Sequence, residues 1–318
     1  MNRSFFTAAL LLISSLLIGQ EKVTVLTVTG HVNYFSGASN IGKRVLPGQL
    51  LPTIGFLRCD EGATAMLVFE GQRHPIKSKQ EFDLKKLPKQ KKRGSRMGYL
   101  GRFLNFIGSS VNNTEDNDKL EKHHERYMTS VGGVRGFAQN EAAIKTYGYL
   151  SGPMGGGRVD FRWNYVGNVP FYQFEIRKEA EKDLLFMAKV RANQLSVDLD
   201  ELSIVEGEVY HWKVTAETKE GKAISTVEVP FSLEAEALSK LLTGNRLQKM
   251  QKSVEEGEKE LVVLQQMQEQ GFKHAAYSKY ELMLQQDANN LLIKRLFASF
   301  LAENNDLDRA KELITDIQ

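Results

Sequence analysis

The chain has 318 residues, which is too long for one ordinary hydrophobic core and predicts two or three domains. The sequence is 42% hydrophobic and 25% charged, and its formal net charge of +3 excludes an acidic coat protein and a strongly basic nucleic-acid binder. Cys59 is the single cysteine, so an intramolecular disulfide is excluded. Its position in an apparent strand predicts a buried, unreactive side chain.

Residues 1–19 have the pattern of a secretory signal peptide. Arg3 gives a positive start, an apolar run follows over residues 5–18, and small and polar residues return from Gly19. We expect cleavage after Gly19, and the alternative is an uncleaved anchor. A large exported chain without paired cysteines is typical of the bacterial envelope, so we expect a periplasmic or cell-surface protein.

Residues 22–86 predict a small antiparallel β domain, because short apolar runs alternate with Gly-containing turns. The segments "VTGHV" and "LPGQLLPTIGFLRCDEGATAMLVFEGQRHPIKSKQEFDL" resemble FecR-like β domains. The resemblance implies that Gly30 opens a hairpin, that Pro47-Gly48 forms a turn and that Glu70-Gly71 connects two strands. It also implies an exported sensor or scaffold module.

Residues 87–137 predict a basic linker with either a short helix or a partly ordered segment. The stretch 85–102 holds eight basic residues and no acidic one, which is typical of a solvated, self-repelling segment. The alternative is contact with an anionic envelope polymer or a membrane surface, into which Phe103, Phe106 and Ile107 would insert. The candidate residues for that contact are Lys89, Lys91, Lys92, Arg93 and Arg96.

Residues 138–232 predict a second all-β domain, with strands at roughly ten-residue spacing. The late strands resemble a fibronectin type III-like sandwich through a set of spaced residues: Ile204, Gly207, Tyr210, Trp212, Val214 and Ala216. The resemblance implies that Tyr210 is a buried corner tyrosine whose hydroxyl bonds to upstream backbone, and that Trp163 is a core residue. The alternative is an exposed aromatic pair that stacks on sugars.

Residues 233–318 predict an all-α tail with a 34-residue repeat. Three pairs of positions are 34 apart: Met267 and Leu301, Gly271 and Asn305, and Ala276 and Ala310. The pattern resembles the tetratricopeptide repeat, which implies a left-handed turn at Gly271 and Asn305. Two units are visible, and such repeats need about three for stability. Either residues 234–256 supply a degenerate unit, or the helices dock on the sandwich or on a second copy. The candidate protein-binding residues are Met267, Tyr277, Tyr280, Arg295 and Phe297.

The sequence contains no motif that points to catalysis. The six histidines have no partners at a metal-ligand spacing, and "GPMGGGR" at 152–158 lacks the Lys-Ser/Thr of a phosphate loop. We therefore expect no enzyme activity, cofactor, metal or nucleic-acid partner. The multidomain pattern predicts an exported scaffold or adaptor that binds protein partners through the helical tail. The competing prediction is an envelope-polymer or carbohydrate binder that uses the β domains and the basic linker. A third alternative is that the tail is a helical cap that binds no ligand.

Overall fold

The computed structural model describes residues 22–36, 41–88, 98–135, 144–179 and 183–315. The chain divides into two compact units, Met1–Asn112 and Asn113–Gln318. The order of elements agrees with the coarse prediction, since β-sheets come first and a run of helices ends the chain. None of the helices in the described ranges is both long enough and apolar enough to cross a bilayer.

The described ranges of the N-terminal unit contain two four-stranded antiparallel sheets. One sheet has the strand order β4-β1-β6-β7 and the other β3-β2-β5-β8. The strands are β1 Lys22–Thr29, β2 Val32–Phe35, β3 Lys43–Arg44, β4 Leu50–Pro52, β5 Phe56–Cys59, β6 Thr64–Phe69, β7 Gln72–Ile76 and β8 Glu81–Asp83.

The core of this unit is formed by apolar side chains from both sheets. Val25 and Leu67 come from the first sheet, and Leu57 and Cys59 come from the second. The prediction that Cys59 is buried is confirmed, and burial raises the pKa of its thiol. A thiol with a raised pKa is a poorer nucleophile at neutral pH, so Cys59 serves packing.

Two predicted turns have different outcomes. Glu70-Gly71 joins β6 to β7, and both residues have positive φ, 48° and 71°, as a two-residue hairpin of type I′ requires. Gly30 does not open a hairpin, because it joins β1 of one sheet to β2 of the other. Its φ is +74°, and a Cβ there would lie 3.0 Å from the Cβ of Ala63. A close crossing between sheets therefore needs glycine at this position.

The predicted linker is largely helical. Helix α1 spans Tyr99–Asn113 and helix α2 spans Asn117–Arg135. In α1, Phe103 and Ile107 are fully buried, and Gly108 lies against Val68 of β6. The prediction that these side chains insert into a membrane is wrong for Phe103 and Ile107, because they already belong to a protein core.

The C-terminal unit begins with α2 and continues into a middle β domain. The strands are β9 Gly152–Met154, β10 Arg158–Arg162, β11 Tyr172–Lys178, β12 Leu184–Val190, β13 Gln194–Asp198, β14 Val209–Glu217, β15 Ala223–Ser225 and β16 Val229–Leu233. One sheet has the order β12-β11-β14-β16-β9, with β15 also paired to β14, and β10 and β13 form the second sheet. Strands β9 and β16 are parallel.

Aromatic side chains fill the space between these two sheets. The ring of Phe161 on β10 lies 5.0 Å from Phe174 and 5.3 Å from Trp212, centroid to centroid, and both partners belong to the larger sheet. Trp163 and Tyr210 are fully buried, so the prediction of core positions is confirmed, and Trp212 is fully buried as well. The sugar-stacking alternative is wrong for both tryptophans, because neither ring reaches the surface.

The corner role of Tyr210 is also confirmed. Its hydroxyl oxygen accepts a hydrogen bond from the backbone N–H of Val205 at 2.8 Å, five residues upstream. The hydroxyl in turn donates to Glu208 at 3.2 Å. A buried tyrosine thus keeps its polar group satisfied while its ring packs on Phe231.

In its described part the tail contains six α-helices, the first of which follows β16 after a single residue. They are α3 Ala235–Thr243, α4 Asn245–Gln251, α5 Lys259–Glu269, α6 Lys273–Gln286, α7 Leu291–Glu303 and α8 Leu307–Thr315. Gly271 and Asn305 end α5 and α7 with φ of +83° and +64°, so the predicted left-handed turns are confirmed. Ala276 and Ala310 are fully buried.

Candidate interaction surfaces of the C-terminal unit

The five residues predicted to bind a partner are buried. Tyr280 and Phe297 have no exposed surface, and the most exposed of the five, Arg295, is 8% exposed. These side chains therefore do not form an exposed face, and that part of the prediction is corrected. The set comprises Met267, Tyr277, Tyr280, Arg295 and Phe297. Protein binding by another part of the tail stays a prediction.

Three of the five lie in an aromatic cluster inside the tail. The rings of Tyr280 and Phe297 stack with centroids 5.0 Å apart, and Tyr277 meets Phe297 edge to face at 5.6 Å. Burial raises the pKa of the Tyr280 hydroxyl, which accepts a hydrogen bond from the side chain of Gln268 at 3.0 Å. The aromatic positions of the repeat thus hold adjacent helices together.

The cluster extends to the middle β domain through what we call the joint, formed by Tyr149, Arg162, Tyr277, Asp306 and Arg309. Tyr149 stacks on Tyr277 with centroids 4.2 Å apart. The Tyr149 hydroxyl donates to Asp306 at 3.0 Å, and burial raises the pKa of that carboxyl group. The tail therefore docks on the β domain, which was one of the alternatives left open by the sequence.

Two guanidinium groups converge on one phenol at the joint. Arg162 donates to the Tyr277 hydroxyl oxygen at 3.0 Å, and Arg309 donates to the same oxygen. Arg309 also pairs with Glu281 at 2.5 Å. Burial raises the pKa of Tyr277, so the phenol stays neutral and accepts both bonds.

A cavity of about 280 Å³ opens beside the joint. Burial, followed by the nearby carboxylates Asp306 and Asp308, raises the pKa of Tyr147 at its wall to about 12. Cationic and anionic groups both line the cavity, among them Arg162, Arg309, Asp308 and Glu312. No cluster of ligating side chains that could hold a metal ion occurs in the ranges that the structure describes.

Helix α2 covers another part of the tail. Its His124 donates from Nδ1 to the carbonyl oxygen of Ala302 at 2.7 Å, and His123 Nε2 lies 3.0 Å from a carboxylate oxygen of Glu303. Glu121 pairs with Lys311 at 2.5 Å. The contacts therefore reach both α7 and α8, and the second helix of the region predicted as a linker is a structural part of the helical tail.

Arg295 anchors the start of this docked segment. It donates from Nη1 to the carbonyl oxygen of Thr114 at 2.5 Å, just before α2 begins. Burial lowers the pKa of Arg295, and the charge of Asp116 opposes that shift. A buried guanidinium that caps a backbone carbonyl is structural, so this residue is not a free docking contact.

Two large apolar side chains of the tail remain exposed in the described part of the chain. Leu242 on α3 is 38% exposed and Leu282 on α6 is 46% exposed. The sequence prediction missed both. For Leu282 a sequence signal was available. It stands four residues after the polar Ser278 and three before the polar Gln285, so the three residues share one face of α6.

Two predicted features lie outside the described residues. These are the signal segment 1–19 and the anionic-surface set Lys89, Lys91, Lys92, Arg93 and Arg96.

The chain matches no protein-family model and no curated protein. Among solved structures it is similar to the fibronectin(III)-like modules of CbhA from Clostridium thermocellum. The sequence identity is 13%, the match covers 29% of this chain and 94% of that chain, and the TM-score is 0.21.

Proposed function

We propose that this chain is a non-catalytic exported scaffold that mediates protein–protein interactions in the bacterial cell envelope. In this proposal residues 22–86 are a FecR-like β domain and residues 138–232 are a fibronectin type III-like sandwich. Residues 233–318 are a tetratricopeptide-like tail that carries the partner-binding surface.

The observation that supports the proposal is the pair of left-handed turns at Gly271 and Asn305, which are 34 residues apart and each end the first helix of a pair. That spacing is the unit length of tetratricopeptide repeats, whose stacked helices commonly bind proteins. Helix α2 and the middle β domain cover apolar surface that two repeats alone would leave exposed.

The partner surface that we propose includes Leu242 and Leu282. Exposed leucines are common on protein surfaces, but these two are the large apolar side chains that the described tail leaves accessible. An apolar contact in this position would depend little on ionic strength.

The test is recovery of a specific partner from the envelope fraction by the full mature chain and by two full-length variants. Deleting the tail is unsuitable, because Tyr277 of the tail packs on Tyr149 of the middle β domain within one compact unit. Removal of the tail would therefore expose part of the core of the middle domain. Leu282→Glu removes the exposed apolar group, and Gln285→Glu adds the same charge on the same exposed stripe. We expect loss of the partner with Leu282→Glu and retention with Gln285→Glu.

Equal recovery by all three chains would reject the α6 surface as the binding element. A partner lost equally with both variants would reject an apolar contact and indicate a general effect of added negative charge. In each case the circular dichroism spectrum and thermal unfolding of the variants confirm that the fold is retained.

The alternative function is an envelope-polymer or carbohydrate binder that uses the β domains and the basic run at 85–102. It has less support, since Trp163 and Trp212 are buried and not available for stacking on sugars. Binding of this kind would weaken markedly with added salt, because it depends on exposed lysine and arginine charges. Titration of an anionic polysaccharide at low and high ionic strength therefore distinguishes the two functions.

A further inference from the structure

Strand β12 is an outermost strand with a mainly apolar composition. It ends the sheet order β12-β11-β14-β16-β9, and in the described residues no strand pairs with its outer edge. Its sequence, LLFMAKV, has one charged residue and no proline. Edge strands of soluble proteins are commonly protected by charges, proline or bulges, because their free backbone groups can pair with another strand.

The regular part of this edge is limited by a bulge. Phe186 pairs with Ile176, but Leu184 pairs with Arg177, so Leu185 is an extra residue in the ladder. Residues 186–190 therefore form the continuous strand. Within it, Met187 and Lys189 share the outer face of the sheet, opposite Glu175 and Gln173.

Apolar side chains remain exposed at this edge. Leu184 is 45% exposed and Met187 is 56% exposed. Lys189 is held against the ring of Phe171, with its ammonium 3.7 Å from the ring centroid. The one charge of the strand is therefore directed along the outer face, and the backbone edge is not shielded by it.

We propose that β12 pairs with β12 of a second copy of this chain, antiparallel and two-fold symmetric about Ala188. In that register Phe186 faces Val190 of the second copy, and Met187 faces Lys189 of the second copy. Ala188 faces Ala188 of the second copy on the axis, and every other cross-strand pair occurs twice, as an isologous interface requires.

Charge favours a second copy as the occupant. The only charged residue of the regular strand, Lys189, would face a methionine and not another lysine. Like charges directly opposite one another destabilise antiparallel pairs, and the two-fold register avoids them.

The test uses the full mature chain in sedimentation velocity from low to high micromolar concentration. We expect a concentration-dependent dimer for the wild-type chain. Met187→Lys places the introduced lysine opposite Lys189 twice in each dimer, so we expect dimer affinity to fall about tenfold or more. Adding Lys189→Glu to that variant places opposite charges across the interface, and we expect affinity to recover.

The control is Val227→Lys, which adds a lysine at a position that is 47% exposed and outside β12. This variant should dimerise as the wild-type chain does. Because Met187 is exposed, Met187→Lys should leave the thermal unfolding of the monomer unchanged.

A wild-type chain that stays monomeric at every concentration would overturn the proposal. So would a dimer that Met187→Lys leaves unchanged. Loss of the dimer without recovery in the double variant would overturn the two-fold register. Hydrogen exchange gives a further check, since amides in 186–190 should become protected as the chain concentration rises.

Discussion

The rings of Tyr149 and Tyr277 stack with centroids 4.2 Å apart and an interplanar angle of 15°. Tyr149 belongs to a 3-10 turn just before β9, whereas Tyr277 belongs to α6. This contact joins the segment that precedes the first strand of the middle β domain to the helical tail. The two parts therefore share one core and should unfold together.

Replacing Tyr149 by alanine should strongly destabilise the C-terminal unit. The change removes the stack on Tyr277 and leaves the buried carboxyl group of Asp306 without its phenol donor. Truncation of a large buried aromatic side chain costs about 3–5 kcal/mol. Urea unfolding followed by tryptophan fluorescence should show a lower midpoint for this unit.

The matched control for that change is Tyr165→Ala. Tyr165 is 65% exposed, so its truncation should alter the free energy of unfolding by about 0.5 kcal/mol or less. A loss of stability as small for Tyr149→Ala as for Tyr165→Ala would show that the joint contributes little to cohesion of the unit.

The stability of the C-terminal unit should fall as pH is lowered from about 6.5 to about 4. Burial lowers the pKa of His274 to about 4, whereas an unfolded histidine titrates near 6.5. Between these values the unfolded chain binds a proton that the folded chain does not, so stability decreases with falling pH. The pH dependence of the urea midpoint measures this effect.

The readout is the difference between the wild-type chain and His274→Gln. Asp306, whose pKa is raised by burial, contributes a pH dependence of opposite sign, but it is common to both chains and cancels. The difference should change between about pH 6.5 and 4 and be level above that range. A difference that is level throughout would mean that His274 is not held neutral in the folded chain.

Removing the hydroxyl of Tyr210 should weaken the middle β domain without disturbing its aromatic packing. Tyr210→Phe leaves the N–H of Val205, in a partly buried contact, without its acceptor at 2.8 Å. Water can replace part of the lost bond, so the cost should be that of an ordinary intramolecular hydrogen bond, about 0.5–1.5 kcal/mol. Thermal unfolding of this variant should be compared with Tyr165→Phe, which changes an exposed tyrosine and should have almost no effect.

Gly271→Ala should destabilise the turn between α5 and α6. The φ of Gly271 is +83°, and its missing Cβ would meet Pro153 at an ordinary 3.7 Å, so the cost is conformational and not steric. An L-residue in this region costs about 1–2 kcal/mol. Gly257→Ala, which has open space around the new methyl group, should be neutral by the same urea measurement.

Local features of the fold were accessible from the sequence. The turns at Gly271 and Asn305 depend on residues that tolerate positive φ, and the corner at Tyr210 depends on a short spacing to upstream backbone. Features of this kind need no knowledge of distant contacts. For the same reason, the buried Cys59 could be recognised from its place in an apolar strand.

Exposure of the tail residues could not be predicted in this way. A helical repeat has two apolar faces, and its period does not tell which face another part of the chain will cover. Arg295 is buried against Thr114, which stands 181 positions earlier in the chain. The helix that follows Thr114, α2, carries many charges and few apolar residues. A polar helix gives no signal of the surface on which it docks.

The contacts that complete the C-terminal unit have a consequence for the order of events during biosynthesis. Thr114, His123 and Tyr149 find their partners at residues 295, 303 and 306, which stand 157 to 181 positions later in the chain. Such pairings cannot form until α7 and the start of α8 have left the ribosome. Helix α2 therefore docks late in synthesis, and a message cut short before α7 would give a chain whose middle domain lacks these contacts.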